Sequence, residues 1–144
     1  MKKLFTLLAL TMSFSMNAQM SDYSEGTSAT GSNAVAMGKS TTASGSRSTA
    51  MGGDSTASGD FSVAMGRGTT ASGTNSTAMG SGTIASGNNS TTMGYFTTAS
   101  GNKTTAMGAN TTASDYASLV IGQFNSSGSS VTNNATSYNT CLLY

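Results

Sequence analysis

Residues 48–52 read Ser-Thr-Ala-Met-Gly and belong to a unit that recurs every 14 residues along most of the chain. The last glycine of the unit is found at positions 38, 52, 66, 80, 94, 108 and 122, preceded six times by methionine and finally by isoleucine. A second glycine lies half a period away at positions 31, 45, 59, 73, 87 and 101, and Asp115 ends that series. A short period that keeps its phase over seven repeats predicts a solenoid with one coil per repeat.

Each repeat divides into two halves, and small residues stand two apart in both of them. Ala50 and Gly52 have this spacing in one half, and Ala43 and Gly45 have it in the other. Alternation with a period of two is that of a β-strand, whose successive side chains point to opposite faces. We therefore expect Ala50 and Gly52 on one side of a strand and Met51 on the other.

The alanines form two columns that persist from repeat to repeat, and the columns predict a thin all-β roll. Two columns of small side chains fit two short strands that pack face to face across a narrow interior, with turn-forming Asn, Asp and Gly residues between them. We expect a parallel β-roll of 14-residue coils over residues 25–122, its interior filled by alanine and glycine. The alanines assigned to this interior include Ala43, Ala50, Ala57, Ala64, Ala71 and Ala78.

Composition alone would favour disorder, because charged residues make up only 8% of the chain and Gly, Ser and Thr are abundant. The constant phase of the repeat argues against that interpretation. The chain also has no proline, which agrees with a backbone whose N–H groups are all used in hydrogen-bonded ladders.

The methionine-bearing side of the strand allows two interpretations. In the first, methionine lies inside the roll and alanine outside. In the second, which we favour, alanine lies inside, and the apolar stripe faces outward and is buried against identical chains, because it is too apolar to remain in water. The residues assigned to this interface are Met37, Met51, Met65, Met79, Met93, Met107, Ile121, Val35, Val63 and Leu119.

The other outward face carries a regular array of hydroxyl groups. It is either a solvated β-surface of residues with high strand propensity or a surface that meets a protein, a carbohydrate or ice. Ile84 and Ser28 interrupt the threonine column, so an ice-binding solenoid ranks below a binding head, and a structural fibre spacer is a third alternative. The residues assigned to this candidate ligand face are Thr42, Ser44, Thr56, Ser58, Thr70, Ser72, Thr98 and Ser100.

The two ends of the chain differ from the repeats. Residues 1–18 have the charged start, short apolar run and small residue at the end of a secretory signal peptide, so we expect an exported protein with no membrane-spanning segment. Residues 19–24 form a polar lead-in. Residues 123–144 form a polar linker or tail, and the abrupt apolar ending after Cys141 suggests that the natural protein continues beyond it.

The sequence contains few residues of the types that support catalysis or metal binding. It contains no histidine and one cysteine, and its five acidic residues do not recur in the repeat, so we expect no enzyme, no metal site and no cofactor. Removal of Lys2 and Lys3 with the signal peptide leaves four basic residues against those five acids. A chain so nearly neutral lacks the excess of basic residues that is typical of nucleic-acid binding.

The repeat resembles the head repeats of YadA-like trimeric autotransporter adhesins, whose motif is close to Ser-Val-Ala-Ile-Gly followed by Ala-x-Gly half a repeat later. The best matches are Ser-Val-Ala-Met-Gly at residues 62–66 and Asn-Ala-Val-Ala-Met-Gly at residues 33–38. The resemblance covers residues 25–122 and implies a left-handed β-roll, three chains around one axis, and the methionine column at the trimer interface. It also implies an adhesin head at the surface of a Gram-negative bacterium, with an extracellular protein or glycan as its ligand. No heptad stalk or membrane anchor is seen in the sequence, so the resemblance implies nothing about how the chain is anchored.

Overall fold

The computed structural model describes residues 26–126. The predicted signal peptide (residues 1–18), the lead-in (residues 19–24), Cys141 and all of the tail beyond residue 126 lie outside the described residues, so these assignments stay predictions.

Every coil contains one long and one short strand. The long strands have five residues and end at or just after the glycine of the methionine-glycine pair; they are β2 (Val35–Lys39), β4 (Thr49–Gly53), β6 (Val63–Arg67), β8 (Thr77–Ser81), β10 (Thr91–Tyr95), β12 (Thr105–Ala109) and β14 (Leu119–Gln123). The short strands have two residues and contain the other alanine; they are β1 (Ser28–Ala29), β3 (Thr42–Ala43), β5 (Thr56–Ala57), β7 (Thr70–Ala71), β9 (Ile84–Ala85), β11 (Thr98–Ala99) and β13 (Thr112–Ala113).

The long and the short strands form two separate seven-stranded sheets, each ordered along the chain. All neighbouring strands are parallel and are paired with an offset of one repeat, so that Ala50 lies beside Ala64 and Met51 beside Met65. The predicted fold class is therefore confirmed: the described residues form an all-β parallel solenoid of seven coils without a helix. Accordingly, no helix in this part of the chain has the length and hydropathy of a membrane span.

The interior of the roll is narrow and holds only small side chains, apart from Val120 at one end. Ala43 and Ala50 are completely buried, as are their equivalents in the neighbouring coils. A second set of interior residues carries hydroxyl groups, which differs from our expectation that alanine and glycine alone fill the roll. These fully buried residues are Thr41, Ser48, Ser55, Ser62, Thr69, Ser76, Thr83, Ser90, Thr97, Thr104 and Thr111, and Thr92, which stands in place of an alanine in the column of Ala50, is fully buried as well.

The placement of Gly52 also differs from the expectation. It was predicted to share the interior side with Ala50, but it is exposed. Its φ angle of 111° is a left-handed value, which reverses the alternation of side-chain directions at the end of the strand. A Cβ at this position would also lie 2.1 Å from the carbonyl oxygen of Gly66 in the next coil, so the column requires glycine for a second reason.

Two turns connect the strands in each coil, and each turn contains one residue in the left-handed region. One series includes Asn75 and Asn89, and the other includes Asp54 and Asn110, all residue types that tolerate positive φ. From Arg47 onward, the backbone N–H of each such residue donates to a carbonyl of the preceding coil, as Asn75 does to Asp60 at 2.9 Å. The turns are therefore stacked and hydrogen-bonded as regularly as the strands.

Candidate functional site

The methionine column (Met37, Met51, Met65, Met79, Met93, Met107 and Ile121) runs along the outer face of the long-strand sheet. Each member is paired in register with the equivalent residue of the next coil, as Met65 is with Met79. Parallel strands are about 4.8 Å apart, so successive methionines are close neighbours. All members of the column are half-buried in the single chain, which places them outside the alanine-lined interior.

A second outward column on the same face lies two residues earlier in each long strand. It includes Val35 and Val63, which are half-buried, and Leu119, which is 50% exposed. The other four positions of this column are Thr49, Thr77, Thr91 and Thr105, so the apolar stripe over all seven coils is the methionine column, widened at three coils by Val35, Val63 and Leu119. Contiguous apolar surface of this extent is typical of a surface that another protein covers.

The opposite face of the roll belongs to the short-strand sheet and presents the predicted hydroxyl array. The threonine column beginning at Thr42 is half-buried, whereas the serine column beginning at Ser44 is exposed. Thr70, Ile84 and Thr98 are successive members of one ladder. Ile84 is 42% exposed, so this ladder of hydroxyl groups has an apolar interruption at its centre.

Polar side chains on the turns that follow the short strands β5, β9 and β11 link successive coils. The Oδ1 atom of Asp60 accepts a hydrogen bond from the N–H of Ser46 at 2.9 Å. Asn88 accepts in the same way from the N–H of Thr74, and Asn102 accepts from the N–H of Asn88. Each of these side chains therefore caps an exposed donor of the preceding coil and stabilises the stack.

Exposed aromatic residues on and beside the turns include three small groups, which sequence reasoning did not identify as contact residues, and Phe124 in the last coil is exposed outside these groups. The guanidinium of Arg47 lies 5.1 Å from the ring centre of Phe61. The ammonium group of Lys103 donates to the hydroxyl of Tyr116 at 2.7 Å. The remaining group consists of Tyr95, the last residue of the long strand β10, and Phe96, which follows it on the turn, and we call it the aromatic corner.

The aromatic corner could have been found from the repeat itself. The positions equivalent to Phe96 in other coils hold Ser40, Asp54, Gly68, Gly82 and Asn110, all of them common turn residues, and a second phenylalanine, Phe124, in the last coil. A comparison of the columns would have shown both phenylalanines as departures from turn residues, and only Phe96 has a second aromatic residue, Tyr95, packed against its ring. By contrast, the described residues contain no cluster of three side chains that could hold a metal ion.

The comparison with protein families agrees with the repeat and with the architecture. The family model described as "YadA head domain repeat (2 copies)" matches residues 29–55, 43–69, 71–97 and 99–125. These matches extend over most of the described coils. No curated protein matches the chain.

Proposed function

The chain belongs to the family of YadA head domain repeats, and from this membership we propose that its β-roll is a non-enzymatic adhesin head that acts outside the cell. Members of the family are trimeric adhesins on the surface of Gram-negative bacteria. For this chain we propose the same location, with an extracellular protein or glycan as the ligand.

The observation that carries this proposal is the apolar stripe on the long-strand sheet. The alanine and hydroxyl interior contains few large apolar groups, so a single roll gains little from burial of its own core. Complete burial of one methionine side chain contributes about 1.5–3 kcal/mol, and six methionines lie in line. We propose that three parallel chains pack their methionine columns, with Val35, Val63 and Leu119, against one another.

This arrangement leaves the short-strand sheet facing outward. The roll is only two sheets thick, so a chain that buries one face against its copies presents the other face to the surroundings. We propose that the hydroxyl array beginning at Thr42 and Ser44, with the turns beside it, is the surface that meets the ligand.

Bead adhesion would test the adhesin function directly. Beads coated with the purified full chain, with a Thr56→Lys, Thr70→Lys variant or with serum albumin are flowed over basement-membrane extract and over a glycan array. We expect the wild-type beads to be retained at least tenfold more than the albumin beads on one of these surfaces. The double variant should lose retention, because two lysines disrupt the face proposed to bind.

Retention of the wild-type beads at the albumin level on both surfaces would contradict the adhesin function. Thermal hysteresis of the wild-type chain, lost in the double variant, would instead favour the ice-binding alternative for the hydroxyl array.

A further inference from the structure

We propose that Tyr95, Phe96 and Arg67 form a contact site for an extended protein segment that carries a carboxylate and an apolar side chain. This inference rests on the proposed adhesin function and makes its ligand more specific. The site lies at the ends of the long strands β6, β8 and β10 and on the turns that follow them, at the border of the outward hydroxyl array.

The backbone conformation of Phe96 is the first observation that supports this contact site. Its φ angle is 50°, in the left-handed region that a bulky residue adopts at a cost in stability. Its ring is nevertheless 54% exposed, so burial in the roll does not explain the presence of an aromatic residue here. A strained and exposed aromatic side chain calls for an explanation at its position. Phe61 and Phe124 share this combination, and the contacts of its ring with Tyr95 and Gly82 distinguish Phe96 from them.

The surroundings of Phe96 hold the ring in one place. A Cβ on Gly82 would lie 2.7 Å from two ring carbons of Phe96, so the ring rests on bare backbone there. Tyr95 packs against the ring edge-to-face, with ring centres 4.5 Å apart, and is itself 54% exposed. The pair is thus a preorganised apolar contact that loses little conformational freedom on binding.

A shallow notch extends from the aromatic corner toward Arg67. Arg67, Ser81 and Tyr95 are successive members of one ladder, so Arg67 and Tyr95 are two coils, or about 10 Å, apart. Beside them, Gly68 and Gly82 carry no side chains, and the space above Gly68 is open. The notch therefore has an aromatic end, a floor of small residues and a cationic end.

The charge of Arg67 indicates the chemistry of the ligand. Among residues 26–126 its guanidinium has no ion pair and no hydrogen bond. An exposed guanidinium favours a carboxylate, which it can bind through two parallel hydrogen bonds. By contrast, the guanidinium of Arg47, at another turn, already lies over the ring of Phe61.

The same column of charges argues against a role between copies at a threefold axis. Lys39 and Arg67 are both exposed in the column that contains Tyr95. If that column faced the axis of a parallel trimer, like charges would meet at equal height, which is unfavourable. The notch is therefore expected at the periphery, open to a ligand.

The composition of the notch favours a protein ligand. Tyrosine and arginine are the residues that most often dominate binding between proteins, and small residues such as Ser81 and Gly82 let a partner backbone approach. An extended chain advances about 3.3 Å per residue. A span of about 10 Å therefore matches a carboxylate three residues away from an apolar side chain.

A random peptide library displayed on phage would test the site. The library is selected on the full wild-type chain after depletion on a Phe96→Asn variant, which carries the residue found at Asn110 in the same column. We expect the enriched peptides to have Asp or Glu about three residues from a large apolar residue. They should bind about tenfold more weakly to Phe96→Asn and to Arg67→Ser. Serine replaces Arg67 in this variant because Ser81 occupies the equivalent position in the next coil.

Two controls separate a contact role from a structural one. Phe61→Asn removes an aromatic residue with a similar φ angle from the other series of turns and should leave peptide binding unchanged. The melting temperature of Phe96→Asn should equal or exceed that of the wild type, because asparagine tolerates the left-handed region.

The proposal is overturned if no peptide is enriched or if the enriched peptides bind Phe96→Asn as tightly as the wild type. It is also overturned if Phe96→Asn reduces the number of chains in the assembly, which would place the corner between copies. The bead assay distinguishes failure of the adhesin function: wild-type beads would then not be retained, whereas the peptide result would be unaffected.

Discussion

A Cβ built on Gly59 would lie 2.1 Å from the carbonyl oxygen of Gly73, the equivalent residue in the next coil. The same relationship holds from Gly31 to Gly87, where the corresponding distance never exceeds 2.1 Å. Real Cβ atoms do not approach an oxygen so closely, so these five positions accept only glycine, and the column ends at Asp115 in the last coil. The close spacing of the coils therefore requires a glycine every 14 residues.

The first prediction concerns this column. Gly59→Ala should destabilise the chain by about 3 kcal/mol or more, because the clash is with backbone and no side chain can move to relieve it. The measurement is the melting temperature by circular dichroism. Gly53→Ala is the matched control, since nothing lies within 4 Å of a Cβ at that position. Equal melting temperatures for the two variants would contradict the close stacking of coils.

The second prediction concerns the buried hydroxyl groups. The Oγ of Ser62 is buried without a hydrogen-bond partner, so Ser62→Ala should be neutral or should stabilise the chain by up to about 1 kcal/mol. By contrast, the Oγ of Ser55 lies 3.0 Å from the carbonyl oxygen of Gly66 and accepts from the Thr69 hydroxyl at 2.9 Å. Ser55→Ala should therefore cost about 1–2 kcal/mol.

Chemical denaturation of the two serine variants, with the free energy of unfolding compared at one protein concentration, would measure the difference. A greater loss of stability in Ser62→Ala than in Ser55→Ala would show that the interior hydroxyl groups are paired differently from this description.

The third prediction concerns the polar caps on the turns. Asn88→Ala removes the acceptor for the N–H of Thr74 and should cost about 1 kcal/mol. Asn88→Asp should be tolerated, because a carboxylate oxygen has the same role at Asp60. Hydrogen exchange of the Thr74 amide is the direct readout: it should accelerate in the alanine variant and stay slow in the aspartate variant. Equal exchange rates in both variants would exclude the cap.

Much of the fold could be predicted from the sequence because a solenoid repeats one local solution. The 14-residue period predicted one coil per repeat, and the alternation around Ala43 and Ala50 predicted two strands in each coil. The lengths of the strands were harder to predict from the sequence. The short strand has only two residues because the chain turns at Gly45, and this turn cannot be distinguished from a strand end by alternation alone.

The interior hydroxyl groups were missed for a different physical reason. Polar residues are normally assigned to the surface, but a serine hydroxyl can bond to a carbonyl of its own turn, as Ser48 does to Gly45 at 2.7 Å. Such a bond makes burial of Ser48 acceptable without any signal in composition, whereas the buried hydroxyl groups of eight other described residues, Ser62 among them, have no hydrogen-bond partner and are small enough to fit the narrow interior. The aromatic corner was missed because turn propensity predicts Gly or Asn where Phe96 stands, and only the structure reveals the strained backbone that supports the residue.

The most direct test of this account is the mass in solution of the full chain, measured by light scattering beside two double variants. Met65→Lys, Met79→Lys places charges on the methionine column, and Thr56→Lys, Thr70→Lys places the same charges on the opposite face. We predict three chains for the wild type and for the threonine variant, and dissociation with unfolding for the methionine variant. A folded single chain in all three samples would contradict the proposal that the methionine column holds identical chains together.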